Sequence, residues 1–68
     1  MNDEVFNMSI RKFLKTVGVK SQHEIEMAVN KAHEQGSIAG KESFPVTMTL
    51  RIDGIKLNVT FDGEIDLE

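Results

Sequence analysis

The sequence predicts an α+β domain: two N-terminal amphipathic helices packed on one face of an antiparallel β-hairpin, with a short third strand at the C-terminus. Three observations carry this. Apolar residues recur at helical spacing through the first half of the chain, and they alternate strictly with polar ones from Pro45 to Phe61. An Asp-Gly pair divides the alternating run in the middle, as a tight hairpin turn would.

The first helix is expected over 3–17. Phe6, Ile10, Phe13, Leu14 and Val17 form one apolar stripe at i, i+4, i+7, i+8 and i+11. Asn2 or Asp3 suits the N-cap, Asp3 and Glu4 complement the positive end of the helix dipole, and Gly18 offers a left-handed stop. The second helix is expected over 22–35. Ser21-Gln22-His23-Glu24 has the form of a capping box, Ile25, Ala28, Val29 and Ala32 supply its stripe, and Gly36 ends it. A link of only Gly18 to Lys20 would force the two helices into a tight corner or an antiparallel pair.

A loop over 36–45 follows, closed by Pro45. The strands are expected at 46–52 and 55–61, around a two-residue type I′ turn at Asp53-Gly54. That register sets Ile52 against Ile55, Leu50 against Leu57, Met48 against Val59 and Val46 against Phe61. It also sets Arg51 opposite Lys56, a like-charge pair that an acidic neighbour (Asp53, Asp62 or a partner's carboxylate) or simple solvent screening would relieve. Ile65 and Leu67 alternate with Glu64, Asp66 and Glu68, giving a third strand over 64–67 after a three-residue turn or bulge. The core would join the first-helix stripe, Ile25, Val29 and the apolar sheet face. Either sheet leaves two open edges, which in so small a domain invite pairing with another chain.

At 68 residues and a formal net charge of −3, the chain is one domain with little core to spare. It has no cysteine, hence no disulfide and no thiolate metal site. No apolar stretch approaches the roughly 20 residues of a membrane span. The opening residues do not have the charged-then-apolar form of a signal peptide. The expectation is a soluble, cytoplasmic protein.

No constellation points to catalysis. Gly36 and Gly40 are isolated and form no phosphate loop. Ser21 is accounted for as a cap, and Ser9, Ser37 and Ser43 have no histidine at motif spacing. His23, Glu26, Asn30 and His33 share one arc of the second helix, but Glu26 and His33 lie two turns apart. That face reads as a solvated one with adventitious metal affinity at most. No catalytic, cofactor-binding or metal-binding residue is therefore assigned, and no small-molecule substrate is expected.

Met8, Arg11, Lys12 and Lys15 on the outer face of the first helix make the candidate interaction surface. They could meet an acidic partner, nucleic-acid phosphates or an anionic surface. The absence of Trp and Tyr removes a base-stacking platform, and Glu24, Glu26 and Glu34 make the second helix unsuited to a major groove. The favoured expectation is a non-catalytic module that self-associates or docks on a protein. The alternative is a weak nucleic-acid or anionic-surface binder working through the first helix.

The text from Phe6 to Lys15, then Val17-Gly18-Val19, Ser21-Gln22 and Glu24-Ile25-Glu26, resembles a family of small bacterial proteins known only as an uncharacterised domain. The resemblance spans essentially the whole chain and sets the hairpin with its Asp-Gly turn in the same place. It implies a bacterial, cytoplasmic origin. It brings no activity, ligand or partner, so no site residue is carried over.

Overall fold

The computed structural model describes residues 1–68 as two compact units, Met1–Ser37 and Ile38–Glu68. The first is a single helix, α1 (Asp3–Glu34). The second is a hairpin of β1 (Ser43–Ile52) and β2 (Leu57–Asp66), joined through a 3₁₀ turn at Asp53–Ile55.

The fold is therefore not two helices packed on a hairpin. The expected helices at 3–17 and 22–35 are one element of 32 residues, about 48 Å long at 1.5 Å per residue. Nothing between Gly18 and Lys20 obliges a break. Glycine costs a helix interior about 1 kcal/mol relative to alanine but does not block it, and no proline occurs before position 45. Gly18 does not have positive φ. The Ser21–Glu24 box caps a helix only where one starts. In a continuous helix the backbone N–H groups of this segment have carbonyl partners four residues back, and Gln22 instead donates its side-chain N–H to Glu26 Oε1 at 2.9 Å.

The two real ends of α1 match their sequence signals. Asn2 caps the start, its Oδ1 accepting from the Val5 N–H at 3.1 Å. At the other end Gly36 takes φ +73°. Its N–H donates to the His33 carbonyl, and the Ser37 N–H donates to that of Ala32. This is a Schellman close, with glycine at the position that requires left-handed backbone.

The hairpin corrects the expected register by two residues. Ile52 pairs with Leu57, Leu50 with Val59, Met48 with Phe61, Val46 with Gly63 and Phe44 with Ile65. The turn is the four-residue Asp53–Lys56, not Asp53-Gly54 alone. Its left-handed residue is Lys56 at φ +56°, while Gly54 does not adopt the positive φ that a type I′ turn demands. A shift of two preserves parity, so the same apolar residues still share one face. It exchanges an Ile52–Ile55 contact for a Phe44–Ile65 pair and lengthens the ladder. It also dissolves the like-charge clash: Arg51 now faces Asn58 and pairs with Asp53 at 3.1 Å.

No third strand forms over 64–67, and the sheet has two strands. Gly63 is an interior residue of β2 and not part of a turn. β1 begins three residues before the expected 46–52, while β2 starts two residues later than the expected 55–61 and ends five residues beyond it. The expected loop over 36–45 ends where β1 begins at Ser43.

Neither unit closes a core of its own. No side chain is buried. Phe6, Phe13 and Leu14 of the α1 stripe stand half exposed, and Phe61 of the apolar sheet face is 59% exposed. Val17, Ile25, Val29 and Ala32 reach only intermediate burial.

Candidate interaction surface

The helix carries the four residues that the sequence singles out. Met8, Arg11, Lys12 and Lys15 fall within an arc of about 100° on α1, opposite Phe6, Ile10 and Val17. With Val5 and Ser9 they surround one shallow, open depression. All are exposed. Such a face offers three cations and an apolar patch to a partner, but no enclosed space for a small molecule.

The second polar face of α1 carries less than its wheel implies. His23 and His33 are ten residues apart on one continuous helix, and no group of three His, Cys, Asp or Glu side chains sits close enough to hold a metal ion. Ser21 lies within the helix at intermediate burial.

In the hairpin unit, the loop before β1 is held by one carboxylate. Glu42 Oε2 accepts from the Ala39 N–H at 2.9 Å, and Oε1 accepts from Gly40 at 2.9 Å and Lys41 at 3.0 Å. These donors, Ala39 foremost, hold the Glu42 pKa below the ordinary carboxylate value. Gly40 takes φ +93°, turning its N–H into this nest. The Glu42 carbonyl then accepts from the Leu67 N–H at 3.0 Å, extending the ladder one pair beyond Ser43–Asp66. The sequence reading missed this clasp; a glycine two residues before a glutamate was its only trace.

That last bond settles which residues of the hairpin turn their backbone outward. Glu42 and Leu67 exchange a ladder hydrogen bond, so by alternation Phe44, Val46, Met48, Leu50 and Ile52 bond inward to β2. Ser43, Pro45, Thr47, Thr49 and Arg51 direct their backbone groups to the free edge of β1. Asn58, Thr60, Asp62, Glu64 and Asp66 do so along β2. Pro45 fits this parity, since proline has no N–H to offer the ladder. The same residues form the polar sheet face, where Thr47 donates to Asp62 Oδ1 at 3.1 Å, Ser43 donates to Asp66, and the Thr49 and Thr60 hydroxyls meet at 3.4 Å.

The chain is thus a long amphipathic helix and a one-faced hairpin with open edges, and no side chain of either is buried. The chain belongs to a family of unknown function, DUF6494, whose model matches residues 1–68 throughout. No curated protein and no solved structure matches it. No helix is long and apolar enough to cross a membrane.

Proposed function

We propose that the protein is a non-catalytic interaction module that completes its hydrophobic core by associating with another chain. The absence of any buried side chain carries this reading. Folding orders each residue at a cost of about 1–2 kcal/mol of backbone entropy, and burial of apolar surface is the main term that offsets it. A lone two-stranded hairpin is marginal in water, and much of a helix's stability comes from packing its apolar face. Yet Phe6, Phe13, Leu14, Met48, Val59 and Phe61 all keep substantial surface in solvent. Exposed apolar surface on this scale marks an interface.

The melting temperature as a function of chain concentration tests the proposal, together with sedimentation at high and low concentration. Association raises the melting temperature with concentration. A concentration-independent, stable monomer would remove self-association and require a heterologous partner.

A second reading rests on the clustering of Arg11, Lys12 and Lys15 around one depression: contact with an anionic polymer or surface. Binding of that kind would weaken steeply with added salt, and Lys12→Ala with Lys15→Ala would flatten the slope.

A further inference from the structure

We infer that the partner includes a second copy of this chain, joined antiparallel through the free edge of β1 to make a continuous four-stranded sheet. The inference rests on the association reading above and names its geometry. The two edges of the hairpin are not equivalent. On β2 the outward positions carry Asp62, Glu64 and Asp66, a load of carboxylates of the kind that keeps edges apart. On β1 they carry Ser43, Pro45, Thr47, Thr49 and Arg51, with no acidic residue in a chain of net charge −3. Thr47, Thr49 and Arg51 are all exposed.

Pro45 then selects the register. A two-fold axis at Thr49 sets Thr47 against Arg51 of the second copy, Thr49 against Thr49, and Arg51 against Thr47. All three are outward-bonding positions with an N–H, so the new ladder makes its full set of bonds. Pro45 falls opposite Asp53 of the second copy, just beyond the strand, where its missing N–H is not needed. Moving the axis to Thr47 would add Ser43–Arg51 pairs but set Pro45 opposite Thr49 inside what becomes a central strand, a place proline does not occupy. The Thr49 register also has charge complementarity. Arg51 of the second copy, paired with its own Asp53 in the single chain, arrives beside Thr47, whose hydroxyl already donates to Asp62, and can exchange one carboxylate for the other. The Asp62 and Arg51 backbones are then two strand spacings apart, roughly 10 Å, a span the two side chains can close along the polar face. The apolar residues of both hairpins end on one side of the same sheet. The result passes the three-strand minimum that a lone hairpin fails to reach.

Proline substitution separates the edges without opening the hairpin, because Thr49 and Thr60 both direct their N–H groups outward. Thr49→Pro is expected to raise the dimer dissociation constant at least tenfold, read as loss of dimer mass by sedimentation equilibrium. Thr60→Pro is expected to leave it within about twofold. The wild-type chain has no cysteine, so Thr49→Cys gives a second readout: an oxidised, disulfide-linked dimer formed across the axis, which Thr60→Cys does not form. A wild-type dimer that survives Thr49→Pro, or a dimer lost equally in Thr60→Pro, overturns the β1 edge while leaving self-association standing. A wild-type chain that is monomeric at every concentration overturns both.

Discussion

Gly18→Ala discriminates between one helix and two by the sign of its effect. In α1 the glycine has ordinary helical backbone, and a Cβ added there meets nothing within 4 Å. Alanine therefore brings its propensity advantage of about 1 kcal/mol with no steric offset. Were Gly18 the left-handed stop of a shorter helix, the same substitution would cost about 1–2 kcal/mol. The two structures thus differ by about 2–3 kcal/mol in what they predict. For a domain of this size a gain of 1 kcal/mol raises the melting temperature by about 4–8 °C, or moves a urea midpoint by up to about 1 M. Both should be measured at one fixed chain concentration, because association also moves them. Gly36→Ala is the control. At φ +73° it lies in the left-handed region, so alanine there should lower stability by about 1 kcal/mol. A loss of helical circular dichroism or of stability in Gly18→Ala would refute the continuous helix.

Lys56→Gly should raise hairpin stability by up to about 1 kcal/mol, since it relieves the left-handed strain at φ +56° against a smaller entropic loss; a drop on denaturation would contradict the four-residue turn. Gly63→Ala should stabilise the hairpin by about 0.5 kcal/mol, because the new methyl makes ordinary contact with Val46 Cγ1 at 3.6 Å inside a strand; a turn at Gly63 would reverse the sign. Glu42 has a lowered pKa in the folded chain, so its contribution is present above the unfolded carboxylate value and disappears as pH falls through the folded one. Amide exchange at Ala39, Gly40 and Lys41, corrected for intrinsic rates, should therefore quicken in acid relative to neutral pH. Glu42→Ala should show the quick exchange at both, and unchanged protection in that variant would remove the clasp.

The sequence by itself determined the local terms. The ends of α1 at Asn2 and Gly36 are legible because each satisfies its own neighbouring backbone groups. The face of each strand is legible because pleating ties it to parity, and a two-residue slip leaves parity alone. Helix continuity through Gly18, the ladder register and the third strand were not legible in this way. A glycine, a capping box and an Asp-Gly pair are permissive signals, each compatible with a break and with continuity. Gly18 stays helical, Ser21–Glu24 caps nothing, Gly54 leaves the left-handed position to Lys56, and Gly63 runs on as strand. What decided each was the sum of bonds and contacts along the whole element. A continuous ladder from Glu42–Leu67 to Ile52–Leu57 outweighs a favourable two-residue turn, and a helix without interruption satisfies every N–H between Val17 and Glu24. The tertiary structure alone showed that the apolar stripes close no core within either unit. Amphipathicity records that a face is to be covered; it does not record whether the cover lies in the same chain.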